Sequence, residues 1–157
     1  MIRVGLGFDV HPFDETRPLM LGGIEVPGSP GLAGHSDGDV LSHAVADALL
    51  GAAGLGDLGE RFPSTAEWQD AASAGILAEV ARTLLDGGWS IADVDATVVA
   101  QGPRIAPHRD RMIEAVAAAL AISAERMSVK ATTTDGLGVI GRGEGIAAFA
   151  VALIERN

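Results

Sequence analysis

Four histidines occur in the chain, His11, His35, His43 and His108. Asp9 and His11 are one residue apart in a stretch of strand character, and period two puts both side chains on one face. His43 falls in a segment with helical spacing. If that helix packs near the strand's end, one carboxylate oxygen and two imidazole nitrogens converge. Two histidines and a carboxylate form a three-ligand zinc set that leaves a fourth position open, as catalytic sites do. Asp39 and Asp47 lie four residues either side of His43, so each is placed to accept its other ring N–H and fix its tautomer. The chain has no cysteine, which removes disulfides, thiolate nucleophiles and cysteine-bound metal. By spacing alone, a chance Asp-x-His pair and an ordinary helical histidine are the commoner reading. His108, between Pro107 and Arg109, reads as a surface residue at a helix start.

Other polar clusters invite phosphate chemistry. His35-Ser36-Asp37-Gly38-Asp39 sits where a helix N-terminus favours anions; capping by Ser36 explains part of it, but not His35. Lys130 followed by Thr132-Thr133-Thr134-Asp135 offers an ammonium, hydroxyls and a carboxylate to a diphosphate and its metal, although threonine also simply suits a strand edge. Gly5-Leu6-Gly7 and Gly141-Arg142-Gly143-Glu144-Gly145 lack the third glycine of the dinucleotide fingerprint, and no Gly-Lys-Ser/Thr phosphate loop occurs. They read as tight turns and close backbone approach.

The elements that must position these groups follow from periodicity and punctuation. Ile2 to Val10 has strand character ending at Pro12, and Leu19 to Val26 reads as a bent strand or hairpin about Gly22-Gly23, punctuated by Pro27 to Gly31. Ser36 and Asp37 offer an N-cap for a helix carrying Val40, Leu41, Ala44, Val45, Ala48 and Leu49, ending near Gly51 or Gly54. Gly54 to Trp68 has the composition of a long loop, and a helix from about Ser73 to Leu85 stops at Gly87-Gly88. Then come a β-branched strand within Ile91 to Gln101, a break at Gly102-Pro103, and a helix from about Pro107 to Leu120. A strand over Ser128 to Thr134, a glycine-rich turn and a last strand over Ile146 to Ile154 complete the chain. This is an α+β pattern, one mixed sheet with helices packed on one face. The opposite face would be apolar and need a cover, which a closed oligomer supplies.

Composition sets the outer limits. The 157 residues suit one domain spanning 1–157, with 48% hydrophobic, 20% charged and 4% aromatic residues. The core must therefore be built mainly of Ala, Val, Leu and Ile, and so apolar a chain of small residues suggests surface covered by other subunits. A net charge of −10 argues against nucleic-acid binding, which needs a basic face. Met1 leads straight into strand without a signal peptide, and no run of about 18 apolar residues predicts a membrane span. The expected setting is cytoplasmic.

Taken together the motifs resemble the 2-C-methyl-D-erythritol 2,4-cyclodiphosphate synthase family. The matching stretches are Gly7 to His11, His35 to Val40, Asp47 to Ala53, Leu55-Gly56-Asp57 with Gly59, Phe62-Pro63, Ala100-Gln101, Val129 to Thr134 and Gly141 to Ile146. They span nearly the whole chain in order. The resemblance implies a lyase that converts 4-diphosphocytidyl-2-C-methyl-D-erythritol 2-phosphate to the 2,4-cyclodiphosphate and releases CMP, in the non-mevalonate isoprenoid pathway. It implies zinc on Asp9, His11 and His43, and a second divalent ion, Mg²⁺ or Mn²⁺, near Asp135. His35 and Ser36 with Asp57 and Gly59 would hold the methylerythritol phosphate end, beside a flexible loop bearing Phe62. The cytidine diphosphate would be gripped from a neighbouring subunit by Ala100, Pro103, Arg104, Ile105 and Ala106 with Ala131, Thr132 and Thr134, and His35 and Thr133 would bond the transition state. The implied assembly is a homotrimer whose sheets face a central channel, with Arg142 and Glu144 near a mouth that can hold an isoprenoid diphosphate.

Some positions depart from the family pattern. Asp135 stands where glutamate is common, Arg104 where lysine is common, Ser64 and Ala66 where acidic residues are common, and Val139 where a phenylalanine often lines the channel. Competing readings are a zinc phosphohydrolase, with water attacking the CDP group, and a non-catalytic trimeric module binding isoprenoid diphosphates through Arg142.

Overall fold

Along the first strand, residues alternate between two very different surroundings. Gly5 and Gly7 are buried, whereas Val4, Leu6, Phe8 and Val10 are exposed. The computed structural model, which describes residues 1–65 and 69–156, explains this through a sheet covered on one face. Its strands are β1 (Ile2–Leu21), β2 (Ile24–Leu32), β3 (Ser90–Val99), β4 (Met127–Thr132) and β5 (Gly145–Glu155), in the order β2-β1-β5-β3-β4. Only β3 and β4 pair in parallel; the other ladders are antiparallel. The helices are α1 (Val40–Ala53), α2 (Leu58–Arg61), α3 (Ser73–Asp86), α4 (Arg109–Ala119) and α5 (Gly138–Gly141). The expected mixed sheet with helices on one face is what forms.

Helix α1 is the hub. It packs on β1 and β5 with α3 against it, and eleven of its fourteen residues are buried, as expected of a helix apolar nearly all round. Gly5 and Gly7 permit this contact. A Cβ on Gly7 would collide with the Ala44 carbonyl oxygen, and one on Gly5 with that of Ala48. These glycines therefore serve close approach within a strand, not a turn. The helix ends at Gly54, whose φ of 71° lets its N–H reach back to Gly51.

Several element boundaries differ from the sequence reading. Pro12 does not end β1, because the strand changes partners there: residues up to Pro12 pair with β5, and Phe13 onward pairs with β2. The hairpin about Gly22-Gly23 forms, with both glycines at positive φ, but β2 runs on through Pro27 to Leu32 as an outer strand, where a missing N–H is tolerated. The cap of α1 is Asp39, not Ser36 or Asp37. The expected loop after Gly54 contains α2, capped by Asp57; its end at Ala66 to Trp68 lies outside the described residues. The helix expected from Pro107 starts as a 3-10 turn at Ala106–His108 before α4.

Candidate functional site

Asp9 and His11 project from β1 on the face where Gly5 and Gly7 admit α1, so the close contact carries His43 to them. Asp9 Oδ2 lies 2.8 Å from His11 Nε2 and 3.0 Å from His43 Nδ1. One ligand atom from each residue can be chosen with all of them within 4.8 Å of one another. Burial would raise the Asp9 pKa, but the two imidazoles set against it outweigh burial and hold the carboxyl well below the usual carboxylate range. The bond to Asp9 in turn raises the pKa of His11.

The outward ring nitrogens show what the inward ones are for. His11 Nδ1–H donates to the Ala33 carbonyl, which leaves Nε2 as the nitrogen facing Asp9. His43 Nε2 lies 2.9 Å from Ser36 Oγ and 3.1 Å from Ser73 Oγ, which leaves Nδ1 facing Asp9. Two imidazoles anchored from behind and a carboxylate between them fit a divalent metal of the kind histidine and aspartate bind.

Neither aspartate flanking His43 fixes its tautomer. Asp39 is fully buried and accepts from the N–H groups of Gly22, Gly23 and Ser42 and from the Ser42 hydroxyl. Asp47 accepts from the Leu58 N–H at 2.7 Å, and burial pushes its carboxyl pKa up against that bond. The hydroxyls of Ser36 and Ser73, rather than these carboxylates, lie against the outward ring nitrogen of His43. Ser73, the first residue of α3, was not singled out by the sequence reading, nor was Arg17. The Arg17 guanidinium donates to the carbonyls of Gly34 and Ser36 and so braces the segment that presents His35 and Ser36. Both contacts join residues far apart in sequence, where no spacing rule operates.

The cluster floors a cleft of about 400 Å³ lined also by His35, Ser36, Asp47, Asp57, Gly59 and Phe62. His35 Nε2 donates to the Thr65 carbonyl at 2.7 Å. Asp57 accepts from the Glu60 N–H as the cap of α2, which holds Gly59 in its first turn. Phe62, expected on a flexible loop, closes α2 and is buried with the core. Ser64 also lines the cleft, whereas Ala66 lies outside the described residues.

The residues expected to meet the nucleotide gather elsewhere. Ala100, Pro103, Arg104, Ile105, Ala106, Ala131, Thr132 and Thr133 line a separate cleft of about 210 Å³. It shares no lining residue with the first, although both lie at the same end of the sheet, where Val99 pairs with Ala147 and Ala147 with Val10. Thr134 and Asp135 follow β4; Thr134 Oγ1 donates to the Leu137 carbonyl, and Thr133 Oγ1 to Asp135 at 3.3 Å. Arg142 pairs with Glu144 at 2.6 Å beside exposed Val139. His108 is half-buried at the start of α4.

The chain is similar to known proteins along its whole length. Residues 2–155 match the model of the YgbB family. The sequence is 56% identical over 156 residues to the 2-C-methyl-D-erythritol 2,4-cyclodiphosphate synthase of Syntrophomonas wolfei, with 99% of each covered. The fold matches the bifunctional IspDF of Campylobacter jejuni at a TM-score of 0.96 and 41% identity, covering 100% of this chain and 43% of that longer one. It also matches the CDP complex of Plasmodium falciparum IspF at a TM-score of 0.86 and 35% identity, covering 99% and 97%.

Proposed function

The chain belongs to the YgbB family, and from that membership we propose how its own residues carry out the cyclisation its relatives are named for. The reaction is the cyclodiphosphate-forming step of the non-mevalonate isoprenoid pathway, in which 4-diphosphocytidyl-2-C-methyl-D-erythritol 2-phosphate closes to the 2,4-cyclodiphosphate and releases CMP. A 2-phosphate oxygen bonds to the β-phosphorus while the bond from that phosphorus to the CMP oxygen breaks. The attacking oxygen is already ionised near neutral pH, so no general base is required. What remains for the protein is to fold the substrate and neutralise charge, and tethering the reacting ends is worth about 7–11 kcal/mol in favourable cases.

Asp9, His11 and His43 are the zinc ligands on this reading, and the observation that carries it is the convergence of His11 Nε2 and His43 Nδ1 on one Asp9 oxygen. Zinc there, with Mg²⁺ or Mn²⁺ near Asp135, would supply Lewis-acid neutralisation of the diphosphate. Ser36, Asp57, Gly59 and Phe62 bound the methylerythritol phosphate end, and His35 and Thr133 donate hydrogen bonds that strengthen as charge develops. Ala100, Pro103, Arg104, Ile105, Ala106, Ala131, Thr132 and Thr134 hold the cytidine diphosphate of a neighbouring subunit's site, which accounts for a separate cleft in one chain. The active form is then a homotrimer, within a single domain over 1–157 in a cytoplasmic enzyme. Its central channel, with Arg142 at the mouth, is widened by Val139 where an isoprenoid diphosphate would bind. Among the described residues no helix is long and apolar enough to cross a membrane.

Phosphorus NMR of the product with metal analysis of the purified protein tests the proposal. A cyclic diphosphate and CMP from zinc-loaded protein are expected, with both zinc and turnover lost in His43→Ala. A linear product would establish a phosphohydrolase instead, and His43→Ala with full function would leave only the binding module.

A further inference from the structure

The register of β1 on β2 breaks between Asp14, which faces Gly31, and Pro18, which faces Pro30. Glu15, Thr16 and Arg17 therefore have no facing residue and form a bulge, a device that re-aims a side chain. The bulge is pinned locally. Asp14 Oδ1 accepts from the Thr16 N–H at 2.9 Å and from its hydroxyl at 2.6 Å, and a Cβ on Gly31 would strike the Arg17 and Pro18 carbonyl oxygens. Arg17 leaves the bulge toward the segment ahead of α1. One guanidinium nitrogen donates to the Gly34 carbonyl at 2.6 Å and another to that of Ser36, so the fork spans the carbonyls on either side of His35. The His35 carbonyl itself accepts the Asp70 N–H at 3.0 Å, and the Asp37 N–H donates to the Ala71 carbonyl at 3.1 Å. From Gly34 to Gly38, Arg17 thus makes the only hydrogen bonds from the sheet among the described residues.

The Arg17 side chain is only 21% exposed, and the Asp70 carboxylate beside it is 3.7 Å away and 78% exposed. Two backbone carbonyls, rather than an ion pair, therefore hold the guanidinium. Desolvating a charge in this way is costly, and what it secures is the place of His35 and Ser36, which line the cleft while Arg17 does not. We propose that Arg17 is a positioning residue for the cyclisation. Through the two carbonyls it sets His35 and Ser36 at the spacing that the methylerythritol phosphate end requires, without contact to substrate or metal. This rests on the function proposed above.

Steady-state cyclisation, CDP affinity by calorimetry and zinc content, measured on wild type, Arg17→Met and Arg17→Lys, test the role. In Arg17→Met, kcat/KM should fall about 10- to 100-fold, the scale on which a misplaced positioning group acts. CDP affinity and zinc content should stay at the wild-type level, because the nucleotide cleft shares no lining residue with that of His35 and Arg17 bonds to no metal ligand. A general loss of structure would lower all three together. Arg17→Lys keeps the charge but not the planar fork, so it should recover little of the loss, and it reads the same role should Arg17→Met fail to fold. Wild-type kcat/KM in Arg17→Met would overturn the proposal. Wild-type kcat/KM in Arg17→Lys would overturn it equally, since charge near the cleft would then suffice. Loss of CDP affinity in step with turnover would reduce Arg17 to general support of the fold. A wild type that forms no cyclic diphosphate sinks the functional reading itself, whereas a cyclising wild type with unaffected variants sinks only the role of Arg17.

Discussion

Asp39 shows how much one buried carboxylate can organise. It caps α1 through the Ser42 N–H and also receives the Gly22 and Gly23 N–H groups of the β1–β2 turn, joining the hairpin to the helix that carries His43. Its loss removes a cap, worth about 0.5–2 kcal/mol, and strands buried donors at about 1–3 kcal/mol each. Asp39→Ala should therefore lower stability by about 2–4 kcal/mol in urea unfolding, with weaker zinc binding because the helix start moves. A loss below 0.5 kcal/mol would show that water replaces the carboxylate. The sequence offered Asp9, His11 and His43 at this same scale by strand period and helical spacing, but only the family resemblance singled them out from a chance pair and an ordinary helical histidine. The partners of His43 were not legible. Asp39 and Asp47 satisfy the helical spacing, but each turns to an unpaired backbone N–H outside the helix, because an unsatisfied buried donor is costlier than a free ring nitrogen in a polar cleft.

At the scale of elements, the contact of β1 with α1 sets the site's dimensions. Gly5 and Gly7 face backbone atoms of Ala48 and Ala44, which cannot swing aside as a flexible side chain would. Overpacking in a dense interior costs about 1–3 kcal/mol, and more where neither neighbour can yield. Gly7→Ala should destabilise by at least about 2 kcal/mol and weaken zinc binding, because the helix must lift away from Asp9. Wild-type stability with wild-type affinity would show that α1 is not seated by this contact. Strand and helix types follow from periodicity, while the expected boundaries at Pro12 and Pro27 do not hold. Pro12 marks a change of pairing partner, and Pro27 and Pro30 lie on the outer strand β2. In both settings a missing N–H costs little, so the punctuation carried less force than its composition suggested.

For the whole molecule the decisive feature is the uncovered sheet face. Ile2, Val4, Leu6, Phe8 and Val10 of β1 lie beside Phe149 and Val151 of β5, all exposed, with the Phe8 and Phe149 rings 4.8 Å apart. A continuous apolar stripe of this kind is a mark of an interaction surface, and the proposed trimer would bury it. Phe8→Glu places a charge in that stripe without touching the helical face. On the proposed trimer reading, sedimentation should show monomer where the wild type is trimeric, with turnover lost and metal retained, since the metal cluster lies within one chain while the nucleotide would be held by its neighbour. A trimeric, active Phe8→Glu protein would rule out this face as the interface.

The sequence by itself determined the chemistry on offer: a cysteine-free, acidic chain with an Asp-x-His pair, a helical histidine and motifs resembling one family from end to end. Those follow from residue type, period and order, which are local properties. Tertiary structure decided what surrounds the metal ligands, namely the turn held by Asp39, the brace from Arg17 and the hydroxyl of Ser73. It also separated the metal cleft from the expected nucleotide residues within one chain. These depend on which backbone donors are left unpaired and how closely two elements approach, and both are known only once the chain has folded back on itself.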